Sequence, residues 1–270
     1  MLDKLSDGKM LFFEDLKNAK SMRGPKHYHN GFEIYFMDKG KCDYFIDQKL
    51  YHVEEGDLIL IPEGTLHKTI YEEQEHKRTL IYCSRHFIPT EIADRLPSLL
   101  HLYRNPPLVP RIKTLLEQIR TEYHSPDDYS EPILIRLMHL LFYTLIRNAD
   151  GCRQVTSDHP YTEGALAYIK AHFAEPITLT ELAKSIGITP EHLSRVFKRK
   201  TGFGFSEYLN MFRLQQAESM LKDDRSLRIC DIAFACGFND SNYFSKRFRE
   251  IYGFTPSGFR KRNFRPKSDN

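Results

Sequence analysis

Cysteine is scarce: the 270 residues hold five, Cys42, Cys83, Cys152, Cys230 and Cys236, and no two stand in C-x-x-C spacing. Thiols scattered in this way suggest neither a disulfide framework nor a structural zinc site. Long apolar runs are lacking too. The stretch that comes nearest, about Glu131 to Arg147, is interrupted by Arg136 and His139 and is too short and too polar to span a membrane. The opening Met1-Leu2-Asp3-Lys4-Leu5 has nothing of a signal peptide, so a cytoplasmic protein without a membrane partner is expected. At this length the chain has room for two domains, each burying its own core.

A large excess of charge of one sign is also absent, the formal net charge being +3. The charge is unevenly spread, however. From His159 to Asn270 there are 18 Lys+Arg against 12 Asp+Glu, a net of +6, which leaves 21 against 24, a net of −3, in the 158 residues before. A basic half suits phosphate contacts, which gain from counterion release.

That basic half contains a repeat. Leu182-Ala183, Gly187-Ile188, Leu193-Ser194, Phe197-Lys198 and Gly202-Phe203 return as Ile232-Ala233, Gly237-Phe238, Phe244-Ser245, Phe248-Arg249 and Gly253-Phe254, with a one-residue slip inside the turn. Each copy reads as helix, tight turn, helix: apolar residues recur at helical spacing, a glycine permits the turn, and a capped second helix follows. Thr189 with Pro190 behind it, and Asn239 or Asp240, are the expected N-caps. Such a unit is a helix-turn-helix, whose second helix can enter the major groove of DNA.

The outer face of that second helix tests the reading. In the first copy Leu193, Val196 and Phe197 form the stripe to be buried, leaving Glu191, His192, Ser194, Arg195, Lys198 and Arg199 outside. In the second, Phe244 and Phe248 face inward and Ser241, Asn242, Ser245, Lys246, Arg247 and Arg249 outward. Short hydrogen-bonding groups mixed with cations are what base edges and phosphates require. A single face of this kind is usually no more than solvated; two in tandem behind the same motif favour the DNA reader.

The pattern Leu179 to Tyr208 plus Ile229 to Arg260, closing on Gly253-Phe254-Thr255-Pro256-Ser257-Gly258-Phe259-Arg260, resembles the C-terminal DNA-binding domain of the arabinose-regulator (AraC/XylS) family of bacterial transcription factors. The resemblance implies that the helix read over Phe205 to Leu221, apolar at Tyr208, Leu209, Phe212, Leu214 and Leu221, links the motifs and holds both second helices on one side of the duplex. By position it assigns base-facing roles to Glu191, Ser194 and Arg195, and to Ser241, Asn242 and Lys246; His192, Lys198, Ser245 and Arg249 complete the expected DNA-binding set. Arg195 and Lys246 are the candidates for guanine or phosphate. Glu191 either accepts from cytosine or favours the helix N-terminus through its dipole.

Residues 27 to 83 are rich in Tyr, Phe, Ile and Val, with turn signals at Asp38-Lys39-Gly40, Glu54-Glu55-Gly56 and Pro62-Glu63-Gly64, as short antiparallel strands of a small β-barrel or jelly roll require. The series His27-x-His29-x-x-x-Glu33 to Gly40, then Gly56, Pro62-x-Gly64-x-x-His67, is similar to the two signature motifs of the cupin barrel. It departs from them in a glycine displaced to Gly24 and in Tyr71 where the closing Asn would stand. On one strand His27, His29, Glu33 and Tyr35 share a face by alternation, with His67 delivered from elsewhere. Two readings stand. These five residues line a receptor for a small effector, or His27, His29, Glu33 and His67 hold a divalent transition metal, for which imidazoles and a carboxylate are suitable donors. The receptor reading is preferred, since family regulators resemble metal cupins at these positions. Tyr28, Phe32, Tyr35, Tyr44 and Phe45 are read mainly as barrel core.

After Pro89 the strand signals stop. Ile112, Leu115, Leu116, Ile119 and Tyr123 mark one face of a helix opening near Pro110, and the helix from about Glu131 to Arg147 is apolar nearly all round. Such a helix must be covered on both sides, either wholly within the monomer or in part by a second subunit; the second is preferred. Asn148 to Asp158 reads as a polar linker.

The expected fold is thus an α+β multidomain one: a cupin-type barrel with an arm over residues 1–88, a helical dimerisation segment over 89–147, a linker over 148–158 and an all-α domain with two helix-turn-helix motifs over 159–270. The expected function is a sequence-specific, effector-controlled transcription regulator without catalytic residues or cofactor. The resemblance implies a homodimeric activator, with double-stranded DNA, a carbohydrate-like effector and RNA polymerase as partners. The alternative is a metal-dependent cupin isomerase or oxygenase fused to a DNA-binding module.

Overall fold

The computed structural model describes residues 11–17, 31–71, 75–93, 102–148 and 160–263. They fall into two compact units, Met1–Ser157 and Asp158–Asn270, the first β-rich and the second helical, a mixed α+β architecture. Gly24, His27, Tyr28, His29, Cys152 and all of the expected linker except Asn148 lie outside the described residues.

In the first unit β1 (Leu11–Lys17), β2 (Phe32–Lys39), β3 (Lys41–Ile46), β4 (Lys49–Glu54), β5 (Leu58–Ile61), β6 (His67–Ile70), β7 (Lys77–Cys83) and β8 (Leu102–Tyr103) form two antiparallel sheets, in the orders β1-β7-β2-β5-β8 and β4-β3-β6. Alternation along β2 decides what each side chain meets. Phe32, Ile34 and Phe36 join a cluster with helical residues on the outer face of the larger sheet. Tyr35 and Met37 face the smaller sheet and share a cluster with Cys42, Tyr44, Ile46, Tyr51 and Val53. Because β2 is buried on both faces, its sequence reads as an almost unbroken apolar run.

The three expected turns separate β2 from β3, β4 from β5 and β5 from β6. A fourth, at Asp47-Gln48, has no glycine, yet both residues take left-handed φ of 42° and 70°. The β3–β4 hairpin therefore gives no glycine signal. Phe12 and Phe13 belong to β1, which pairs with β7 from Leu11 opposite Cys83 to Lys17 opposite Lys77. β8 lies beyond Pro89, where no strand was expected; its two residues pair with Leu58 and Ile59 of β5. Arg104, next in sequence, fixes it by donating from Nε to Asp57 Oδ1 at 3.0 Å and from Nη2 to Oδ2 at 2.6 Å.

A short helix α1 (Thr90–Ala93) precedes α2 (Val109–His124) and α3 (Ser130–Arg147). Ile112, Leu115, Leu116 and Ile119 of α2 and Leu134, Met138, Leu141, Phe142 and Leu145 of α3 are buried with the outer face of the larger sheet. Each such burial is worth ~1.5–3 kcal/mol. The opposite side of α3 stays uncovered in the monomer: Ile133, Leu140 and Tyr143 are 39%, 42% and 39% exposed.

The second unit runs through α4 (Pro160–His172), α5 (Leu179–Ser185), α6 (Pro190–Thr201), α7 (Phe205–Asp223), α8 (Ile229–Ala235), α9 (Ser241–Tyr252) and α10 (Pro256–Asn263). Thr178 and Glu181 close a capping box on α5. Thr189 caps α6 with Pro190 in its first turn, and Asp240 rather than Asn239 caps α9, accepting from Asn242 and Tyr243 N–H. Both turns between paired helices are built alike. Gly187 and Gly237 take φ of 73° and 81°, and Ile188 and Phe238 each donate back 3.0 Å to the carbonyls of Ala183 and Ala233. This is the Schellman arrangement, which needs a residue tolerant of left-handed backbone.

α7 carries both motifs. Tyr208, Leu209, Phe212, Leu214 and Leu221 are all buried, as expected. Phe197 of α6 packs edge-on against Tyr208 at 5.5 Å, while Phe248 and Tyr252 of α9 meet Phe259 of α10 at 5.4 Å. Arg213 donates to the carbonyls of Phe173 and Glu175, each at 2.7 Å, and so closes the C-terminal end of α4. The Tyr252 hydroxyl lies 3.1 Å from buried Glu218 and 3.2 Å from the Leu214 carbonyl.

The two turns differ in surroundings. A Cβ at Gly237 would lie 2.6 Å from the Phe173 carbonyl, whereas at Gly187 it would meet nothing within 4 Å. Gly187→Ala should therefore cost only the left-handed strain, about 1–2 kcal/mol, and Gly237→Ala clearly more; equal losses in urea titrations would show that the Phe173 contact yields freely. Burial pushes the thiol of Cys42 up to about 12, that of Cys236 to about 11 and that of Cys83 further still. At about pH 8, below all three values, iodoacetamide should leave these cysteines unmodified in the native protein and label them in urea, since only thiolates react; peptide mapping reads the outcome.

Candidate DNA interface and effector site

The two second helices present matching chemistry to solvent. Their caps set the register, and the stripes Leu193–Val196–Phe197 and Phe244–Phe248 are buried. Glu191, His192, Ser194, Arg195, Lys198 and Arg199 of α6 are exposed, with Asn242, Lys246 and Arg249 of α9; Ser241, Ser245 and Arg247 are half-buried. With Leu193 set against Phe244, Ser194 corresponds to Ser245, Arg195 to Lys246 and Lys198 to Arg249. The same three residue types thus recur on the same face of both helices. A shallow depression on α6 is lined by Glu191, Ser194, Arg195, Lys198 and Arg199.

Among the described residues Arg195, Lys198, Arg199, Lys246 and Arg249 form no ion pair, whereas Arg247 is taken up by Glu250. The free cations can therefore meet phosphate without first breaking a contact. Tyr243, 46% exposed, corresponds to His192 and was missed by a reading that looked for short polar groups and cations. His192 itself rests edge-on against Tyr161, ring centres 5.8 Å apart.

In the first unit, Glu33, Tyr35 and His67 come together between the sheets. Glu33 is 2% exposed; it accepts from the Tyr44 hydroxyl at 2.6 Å and faces His67 Nε2 at 3.3 Å. His67 Nδ1 lies 2.8 Å from the Thr65 carbonyl, which can only accept, so Nδ1 carries a proton. The Tyr35 hydroxyl lies 3.4 Å from Cys42 Sγ and 3.2 Å from the Tyr71 hydroxyl.

Burial holds the phenols of Tyr35, Tyr44 and Tyr82 well above their ordinary range, so all three remain neutral donors. The inner face offers hydroxyls, an imidazole and a carboxylate, a set fitted to hydrogen-bonding a polar small molecule, and its thiol stays protonated. Among the described residues no group of three His, Cys, Asp or Glu side chains is placed to hold a metal; Glu33 and His67 are already engaged with each other. His27 and His29, the other two expected site residues, lie outside the described residues. Tyr71, where the cupin pattern has Asn, is part of the same inner wall.

Comparison with known proteins agrees with both halves of this picture. Residues 18–141 match the family model of an AraC-like ligand binding domain, and residues 182–262 match that of a helix-turn-helix domain. The chain is 27% identical over 252 residues to the HTH-type transcriptional activator RhaS of Klebsiella pneumoniae (strain 342), covering 88% of this chain and 87% of that protein. Its counterpart in Escherichia coli (strain SE11) is 26% identical over the same shares. Among solved structures, the C-terminal domain of AraT, a response regulator from Geobacillus stearothermophilus, is 28% identical over 42% of this chain and 93% of that one, with a TM-score of 0.39. The two RhaS relatives are named as transcriptional activators and not as enzymes. With an AraC-like ligand-binding half and a helix-turn-helix half in one polypeptide, the chain belongs to the AraC family of transcription regulators.

Proposed function

We propose that the protein is a cytoplasmic, homodimeric transcription activator. Its α6 and α9 read two successive major-groove segments, and a small polar effector bound between the sheets controls it. The observation that carries the DNA half is the recurrence of Ser, Arg or Lys, and Lys or Arg at corresponding exposed positions of two helices mounted on α7. Serine and asparagine suit base edges, arginine can grip guanine O6 and N7 with two bonds, and lysine suits phosphate. Glu191, His192, Ser194, Arg195, Lys198, Ser241, Asn242, Ser245, Lys246 and Arg249 form the proposed interface.

Glu33, Tyr35 and His67, with His27 and His29, form the proposed effector site. Neutral phenols, an imidazole and a carboxylate together favour a hydroxyl-bearing ligand of the carbohydrate type. Such a ligand acts only if it binds two arrangements of the protein with different affinity, and a polar linker between the units gives room for two. RNA polymerase is the expected further partner of an activator.

The dimer reading rests on α3. Exposed Ile133 and Leu140 stand at i and i+7 with half-buried Leu137 at i+4 between them, the spacing by which one helix seats against another. Beside them runs a groove lined by Lys113, Glu117, Gln118 and Thr121 of α2.

Arg195→Ala should weaken specific DNA binding by about 1–3 kcal/mol and blur the preference at one base pair, whereas Lys198→Ala should weaken all sequences alike and flatten the salt dependence. A footprint titration unchanged by Arg195→Ala would refute the placement of α6. Leu140→Glu should leave the circular dichroism spectrum intact and convert the dimer to monomer in sedimentation; an unchanged sedimentation coefficient would place the subunit contact elsewhere.

A further inference from the structure

We propose that the effector carries a carboxylate and that Arg78 is its anchor inside the β-rich unit, a proposal that rests on reading the space between the sheets as the effector site. Arg78 lies on β7 opposite Met37 and so shares the inner face with Leu80 and Tyr82. It is 1% exposed and is among the largest fully buried side chains of the protein. Lysine in such a place could shed its proton, but a guanidinium cannot. A buried cation without a partner is strongly disfavoured.

Among the described residues Arg78 enters no ion pair. Among the described residues neither Nε nor Nη2 of Arg78 has a hydrogen-bond partner. Its contacts are aromatic: Cζ stands 5.7 Å from the centre of the Tyr35 ring and 5.0 Å from that of Tyr71. The two rings are joined through their hydroxyls, and His76 stacks on Tyr71 at 3.9 Å. Glu33 is engaged with His67 and Tyr44, Asp57 with Arg104, Asp15 with Arg120 and Glu75 with Lys39; Glu14 of β1, opposite Leu80 and so on the same inner face, forms no ion pair with Arg78 among the described residues, and its own buried Oε2 has no hydrogen-bond partner.

The identity of the unfilled atoms points to the ligand. Nε and Nη2 make up one edge of the guanidinium, and their parallel N–H bonds match the two oxygens of a carboxylate. Aromatic walls hold the guanidinium plane and exclude water, which strengthens that pair. The Glu33–His67–Tyr44 cluster and the Tyr35 hydroxyl on the same inner face suit hydroxyl groups. A polyhydroxylated acid, of which a sugar acid is the simplest example, satisfies both.

The test uses full-length wild type, Arg78→Met and Arg78→Lys in thermal-shift titrations. The probes are D-galacturonate, D-glucuronate and acetate, set against D-galactose and D-glucose at equal ionic strength. Ligands that bind only the native state raise Tm. The uronates should raise the wild-type Tm more than the neutral sugars do. Arg78→Met should lose that preference, with affinity about 10- to 100-fold weaker, as expected for a lost charged pair. Arg78→Lys, which keeps the charge without the two-pronged edge, should fall between.

Free of ligand, Arg78→Met should melt no lower than wild type, because it removes a charge that has no partner. A markedly lower Tm for that variant would overturn the proposal by showing that the guanidinium is held by the protein. So would a wild type in which acetate and both uronates act no differently than in Arg78→Met. Footprints on the same preparations separate the two levels. Intact specific DNA binding with no response to anions sinks the carboxylate alone, whereas an anion response without specific DNA binding sinks the regulator.

Discussion

One helix, α7, sets the geometry on which the DNA-reading half depends. It is buried along Tyr208, Leu209, Phe212, Leu214 and Leu221, so both motifs must pack against it, and neither second helix can rotate without opening that core. Polar contacts made from the same helix sharpen the fit. Arg213 closes the end of α4, and Glu218 meets the hydroxyl of Tyr252 at the far end of α9. These groups are satisfied only when the first motif, the second motif and α7 are assembled together, which ties the two reading faces into one object.

The repeat is symmetric in chemistry and asymmetric in support. Both turns use the same hydrogen bonds around a left-handed glycine, and both second helices end on a second such glycine, Gly202 and Gly253. The first motif carries a capping box and a mixed stripe of Leu193, Val196 and Phe197; the second has no capping box and relies on the aromatic set Phe238, Phe244, Phe248, Tyr252 and Phe259. Gly237 is further constrained by the Phe173 carbonyl beside it. Two unlike cores thus hold two alike surfaces, which is the outcome expected when only the outward face is required to match.

In the β-rich half the controlling fact is that the larger sheet is covered on both faces, by helices on one side and by the smaller sheet on the other. Its inner face can then hold groups that water would otherwise screen. Glu33 faces His67 there, the phenols are kept neutral by burial, and among the described residues Nε and Nη2 of Arg78 have no hydrogen-bond partner. A receptor interior of this kind selects a ligand by what it leaves unpaired.

Much of this architecture was legible in the sequence, because local rules write it. Helical period, Thr189 with Pro190, the turn glycines and the buried stripes of α6 and α9 depend on residues within a turn or two of one another, and each appears where the pattern places it. The face shared by Glu33 and Tyr35 also follows from simple alternation. What the sequence could not show depends on partners far away along the chain. The edge strand β1, the short strand β8 with its Arg104–Asp57 anchor and the glycine-free Asp47-Gln48 turn have no strong local signal. The unpaired Nε and Nη2 of Arg78 among the described residues were equally hidden: the burial of that side chain follows from strand register, since a slip of one residue would send it to the other face of the sheet. Sequence by itself determined the two motifs and the outward faces of their second helices; only the tertiary structure decided which buried charges find partners, because pairing is settled by distances between strands and not by spacing along one of them.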